Sequence, residues 1–309
     1  MGPAPGTGTG SATAPDTDTD TDTDTGATSA PAAVPRAVVG RHLPALDGVR
    51  AVAVAGVIAY HFGLGWARGG YLGVDVFFVL SGFLITALLL EEWAGTGRIA
   101  LPAFWGRRAR RLLPALFVVV ATVMVWAFVL DRANPATMSG PATTAALAKL
   151  RGDALATLFY VANWRPVTLE NLSPLSHTWS LAVEEQFYIV WPLVVVALLR
   201  LRRTRWRRSG LVLCLGGALA SALDLALRYT PADVVRLYSE TDTRAFELLA
   251  GAALAMVAAA RPQPGPRARR LLHGAAVPAG LGLLAMGATA GIHAAWMYRG
   301  GFVLAAALA

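Results

Sequence analysis

Arg50 and His61 stand 11 residues apart in the stretch LDGVRAVAVAGVIAYHFG. On an α-helix that interval is close to three turns, so both side chains share one face, about 16 Å apart along the axis. A neutral imidazole held in such a helix is a candidate general base for a hydroxyl proton, and a candidate acyl carrier. The plainer alternative is a snorkelling arginine and a histidine bonded to a neighbouring helix. Asp75 opens a second stretch, GVDVFFVLSGFLIT, with Ser81 and Gly82 six and seven residues further on. Small residues there let helix backbones approach closely. A third stretch, FWGRRARRLLPAL, holds two overlapping R-x-x-R pairs, Arg107 with Arg110 and Arg108 with Arg111. Each pair shares a helical face, and guanidinium forks match phosphate oxygens. Plain membrane anchoring is the competing account of that cluster.

Two more stretches carry charge into apolar surroundings. Glu184 and Glu185 lie in SPLSHTWSLAVEEQFYIVWPL, with His177 and Trp179 just ahead of them. Arg244 and Glu247 lie in TRAFELLAG, where an i,i+3 salt bridge is the simplest reading. An ionisable group inside hydrocarbon is costly, so each of these is a functional candidate.

The elements that must position these groups follow from composition. Of 309 residues, 55% are hydrophobic and 15% charged. A soluble domain averages roughly 25% charged, so an ordinary cytosolic globule is excluded. The single cysteine, Cys214, excludes a disulfide framework, and the scattered histidines suggest no metal site. Apolar runs long enough to cross a bilayer fall at about 47–66, 71–91, 112–131, 178–199, 210–228, 243–260 and 271–290, and an eighth begins near Trp296. With the N-terminus inside, 18 of the 27 basic residues fall on inner segments. Basic residues favour the cytoplasmic side, so this orientation is adopted, and the net charge of +8 is assigned to the membrane rather than to nucleic acid. Residues 141–163 are weakly apolar and carry Lys149, Arg151 and Asp153. A crossing there would invert every later helix, so an amphipathic outer-face or re-entrant helix is expected. Residues 1–35, with their Thr-Asp repeat, read as a disordered low-complexity tail. They lack the pattern of a signal peptide, so the first span is expected to direct its own insertion.

Taken in order, the five stretches resemble the acyltransferase-3 family of integral membrane acyltransferases, over about residues 42–255. The resemblance implies an all-α polytopic helical bundle in the plasma membrane, with a membrane domain over 42–309. The family has about ten spans, so the eight seen here suggest missing C-terminal helices. It implies transfer of an acyl group, often acetyl, from acyl-CoA to a hydroxyl of a carbohydrate or glycolipid acceptor. No resident cofactor is implied; acyl-CoA is a co-substrate. Carried over by position, the family's Arg-x10-His motif falls on Arg50 and His61. Its R-x-x-R element falls within Arg107, Arg108, Arg110 and Arg111, the donor-binding candidates together with Arg50. Its FFxxSG segment covers Phe77, Phe78, Ser81 and Gly82. Its glutamate falls on Glu184 or Glu185, with Glu184 favoured.

His61, Glu184 and Asp75 are therefore the catalytic candidates, Asp75 or Glu184 orienting the imidazole. Ser81, Glu185, Arg244 and Glu247 are the supporting ones. The rival class is a transporter or lipid-linked sugar flippase, which also buries charges in a helical bundle. A non-catalytic membrane partner is a third reading. Absence of repeated halves among the first seven spans counts against transport.

Overall fold

The computed structural model describes residues 1–2, 44–133, 140–165, 173–202, 204–259 and 265–309. All but two residues of the expected tail lie outside this set, as do Arg36, Arg41, His42, Arg203 and Arg261. Among the described residues all regular structure is helical, with no strand. The order is α1 (Pro44–His61), 3-10 turns at Gly65–Ala67 and Gly70–Leu72, α2 (Gly73–Thr96), α3 (Leu101–Ala133) and α4 (Pro141–Leu158). Then come α5 (Trp179–Leu201), α6 (Trp206–Arg228), α7 (Val234–Ser239), α8 (Thr241–Ala258) and α9 (Pro266–Thr289). A π-type turn at Met297–Gly301 leads into α10 (Phe302–Leu308).

Five of these segments are long and apolar enough to cross a membrane: Gly70–Thr96, Leu101–Ala133, Ser176–Leu201, Trp206–Arg228 and Pro266–Thr289. The chain is thus a helical multi-pass membrane protein. α1 and α8 are 18-residue apolar helices that carry ionisable groups, Asp47, Arg50 and His61 on one, Asp242, Arg244 and Glu247 on the other. The last apolar stretch, Met297–Leu308, is shorter than a crossing. α4 is not among the candidate spans. It packs Leu150 and Ala154 against Val120 and Ala127 in the second half of α3.

α2 is apolar on every side, the pattern of a helix enclosed by others. Two thirds of its apolar window is buried (67%), against 6% for α9, which faces outward. The closest approach is between α2 and α8. A methyl group on Gly82 would collide with the Leu248 carbonyl, and one on Gly251 with the Val79 carbonyl. Paired glycines therefore bring two backbones into contact, and that contact sets the depth of every charge the two helices carry. α2 stops at Gly97, whose φ of 69° ends the helix while its N–H bonds to the Trp93 carbonyl at 2.8 Å. α1 stops at His61, five residues before the expected end at 66, because Gly63 at φ 67° breaks the run.

Candidate active site

Ser81 projects from the middle of α2 and donates a hydrogen bond of 2.6 Å to Glu184 Oε1 on α5. A carboxylate at this depth needs a donor, and the serine supplies one. Glu185 points to α3, where Arg108 Nη2 meets its Oε1 at 3.0 Å. The Arg108 guanidinium carbon also lies 3.4 Å from the centre of the Tyr188 ring. Adjacent glutamates on one helix thus hold two different helices.

These groups border a cavity of about 760 Å³. Its wall includes Arg50, Ser81, Glu184, Tyr188, Arg107, Arg108 and Arg111, and it extends to Glu91, Glu92 and Thr96 at the end of α2. From Ser81 to Thr96 is fifteen residues of helix, about 22 Å of depth. The cavity is therefore elongated, with four arginines and three glutamates on its wall and the Ser–Glu pair facing it. Arg110 is exposed and does not line it, whereas Arg107, Arg108 and Arg111 do.

Asp75, Arg244 and Glu247 form a separate cluster, each fully buried. Arg244 Nη2 donates a hydrogen bond to Asp75 Oδ1 at 2.8 Å and lies 2.9 Å from Glu247 Oε1 as an ion pair. The guanidinium is flanked by the rings of Phe302 and Tyr238, at 4.5 and 4.8 Å. This cluster ties α2 to α8 and is closed to solvent.

His61 lies elsewhere. As the last residue of α1 it is exposed, and it lines neither the cavity nor the buried cluster. Its Nδ1 donates to the Val57 carbonyl at 2.8 Å, since that oxygen can only accept. The lone pair is then on Nε2, free to act as a base. Tyr60 packs edge-on against the ring at 5.4 Å, and His177 is close enough for the two imidazoles to interact. The expected partners do not orient it in this structure: Asp75 is bound to Arg244 and Glu184 to Ser81. Arg50, on the same helix, does reach the cavity wall and lies 3.7 Å from Asp47.

The profile of an acyltransferase domain matches residues 43–309, almost the whole described body. The chain belongs to the acyltransferase-3 family. It is 41% identical over 230 residues to the peptidoglycan O-acetyltransferase OatA of Listeria monocytogenes, covering 70% of this chain and 34% of that protein. It is 42% identical over 226 residues to YrhL of Bacillus subtilis (strain 168), covering 70% of this chain and 33% of that one. The chain therefore spans about a third of the length of these relatives. No solved structure matches it.

Within this acyltransferase-3 chain, three residues join the site that the motifs alone did not mark. Tyr188 is buried under Arg108, and Trp105 of α3 donates to its carbonyl at 3.0 Å. Gln186 closes a ring of hydrogen bonds with Asn163 (2.9 Å) and Thr241 (2.6 Å), and also donates to the Tyr160 carbonyl at 2.8 Å. Tyr160 adopts φ 55°, an uncommon value for a bulky side chain. Burial lifts its phenol above the usual range, with nearby Glu185 adding to the effect and Arg108 opposing it. The segment after α4 is thus joined to α5 through Gln186. The signal for Tyr188 and Gln186 was their position, one turn or less beyond the two glutamates. No group of three metal-ligating side chains occurs among the described residues.

Proposed function

We propose that this chain is a plasma-membrane O-acyltransferase that moves an acyl group, acetyl as the first candidate, from a coenzyme A thioester to a hydroxyl of a cell-envelope carbohydrate. The observation that carries the reading is the Ser81–Glu184 pair in an arginine-walled cavity about 22 Å deep. That shape and charge suit an elongated donor with an anionic head and a reactive end. Arg107, Arg111 and Arg50 take the phosphates, as planar donors do. The thioester lies against Ser81 and Glu184. Membership of an acyltransferase family supports the chemistry, and the name of OatA supports a peptidoglycan glycan as acceptor.

The reaction joins the acceptor oxygen to the acyl carbon and breaks the carbon–sulfur bond. The hydroxyl proton leaves through a base and ends on the departing thiolate. Two bases stand at two levels: Glu184 in the cavity and His61, through Nε2, at the exposed end of α1. His61 takes the acceptor proton. Asp75, Arg244 and Glu247 hold α2 and α8 in register so that Ser81 stays at its depth.

The test is acetyl transfer by vesicles containing this chain, supplied with acetyl-CoA and peptidoglycan fragments. Acetyl ester on the glycan with stoichiometric free thiol supports the reading. Folded protein that releases no thiol above empty vesicles overturns it, and glycan movement without ester would assign the chain to transport.

A further inference from the structure

The three arginines that α3 places on the cavity wall are not equivalent. Arg107 and Arg111 are exposed and make no ion pair among the described residues. Arg108 is held on two sides, by the Glu185 carboxylate at 3.0 Å and by the Tyr188 ring at 3.4 Å. Its Nε is buried without a hydrogen-bond partner, and among the described residues its Nη1 also has none. The ring beneath it is itself fixed. Tyr188 is 4% exposed, its carbonyl takes the Trp105 indole N–H at 3.0 Å, and Phe187 packs against it. Arg108 also lies at the level of the reactive pair rather than beyond it. It bonds Glu185, the residue next to Glu184, and with Tyr188 it lines the same cavity wall as Ser81 and Glu184.

A guanidinium meant only to catch a flexible diphosphate gains little from such fixing, because a mobile arginine follows its ligand. A donor meant for charge that develops during reaction gains a great deal, since it need not reorganise when that charge forms. Attack on a thioester carbonyl places a negative charge on the carbonyl oxygen. We infer that Arg108, held rigid by the Tyr188 ring, donates to that oxygen beside Ser81 and Glu184, leaving the donor phosphates to Arg107 and Arg111. Tyr188 is then a positioning residue and Arg108 a catalytic one. The inference rests on the thioester reading given above. Electrons from the carbonyl double bond move to oxygen as the acceptor oxygen bonds carbon; they return as the thiolate leaves, and no redox partner is needed.

The experiment compares Tyr188→Leu, Tyr188→Phe, Arg108→Gln and Arg107→Gln in vesicles, measuring kcat and KM for acetyl-CoA by thiol release and the Kd of coenzyme A. Arg108→Gln lowers kcat about 100-fold, the usual effect of removing one such donor. Tyr188→Leu lowers kcat about tenfold with Kd within about threefold, and Tyr188→Phe, which keeps the ring face, restores kcat. Arg107→Gln raises KM instead. If Tyr188→Leu raises KM and Kd with kcat intact, Arg108 serves phosphate binding and the inference is wrong. Loss of coenzyme A binding together with kcat would assign Tyr188 to the cavity framework and equally overturn it. A wild-type chain that binds coenzyme A but releases no thiol would remove the thioester reading, and the inference with it.

Discussion

Ser81 and Glu184 meet at 2.6 Å across the α2–α5 interface, although 103 residues separate them in the chain. The serine hydroxyl donates a hydrogen bond to the carboxylate, so the carboxylate is the acceptor of the pair and the group placed to take a proton. Glu184→Gln keeps the shape and removes that capacity. It is expected to lower acyl transfer by about 100-fold or more, within the range for loss of a general base. Ser81→Ala removes only the supporting hydrogen bond and is expected to cost less. Initial rates of thiol release, at matched protein levels in vesicles, measure both. Equal activity of Glu184→Gln and wild type would remove Glu184 from the chemistry.

Asp75 and Arg244 illustrate a different use of charge. Both are fully buried, and Arg244 serves Glu247 as well. Removing one partner of a buried pair leaves the other without compensation, at a cost of about 3–5 kcal/mol. Arg244→Leu therefore strands two carboxyl groups and should reduce the folded fraction sharply. Asp75→Asn keeps an acceptor for Nη2 and should be milder. Thermal unfolding followed by size-exclusion chromatography in detergent ranks the two. A milder loss for Arg244→Leu than for Asp75→Asn would contradict the pairing.

Gly82 and Leu248 fix the spacing of the same two helices. A side chain at Gly82 meets the Leu248 backbone carbonyl, which cannot rotate away as a flexible side chain would. Gly82→Ala should push α8 from α2 and disturb the neighbouring Ser81–Glu184 bond. Gly48→Ala, with no heavy atom near its added methyl, is the control. Lower thermal stability and lower activity are expected for the first substitution, not the second. Equal unfolding temperatures for the two variants would show that the backbone contact carries no weight.

Much of this arrangement was legible in the residue order. Long apolar runs mark the crossing helices, and the i,i+3 spacing of Arg244 and Glu247 foretells their 2.9 Å contact. Arg50, Ser81, Glu184 and the Arg107–Arg111 cluster, named from motifs, do border one cavity, with Arg110 as the exception. What the order could not show was which helices dock. Asp75 and Arg244 are 169 positions apart and Arg108 and Glu185 are 77 apart, so no local spacing links them. Tyr188 was hidden for another reason. Among apolar neighbours a tyrosine reads as core, and its role under Arg108 exists only once α3 lies against α5. The place of His61 was not legible either: Gly63, at φ 67°, ends the run, and the imidazole at the last residue of the helix is exposed.

That exposure makes the histidine separable from the donor site. His61 Nδ1 is committed to the Val57 carbonyl, Nε2 is left as the proton acceptor, and the residue does not line the cavity. His61→Ala should therefore abolish acetyl transfer to the glycan, by about 100-fold or more if it is the acceptor base. Binding of coenzyme A should be unaffected, because no cavity wall is altered. His61→Gln tests the same point with the hydrogen-bonding shape partly kept, and should be as inactive because an amide does not accept a proton near neutral pH. Calorimetric titration with coenzyme A and mass spectrometry of the glycan, on the same preparations, read the two quantities separately. If His61→Ala weakens coenzyme A binding, the imidazole works through the cavity after all. If it leaves glycan acetylation intact, the base for the acceptor is another group, and Glu184 becomes the candidate for both halves of the reaction.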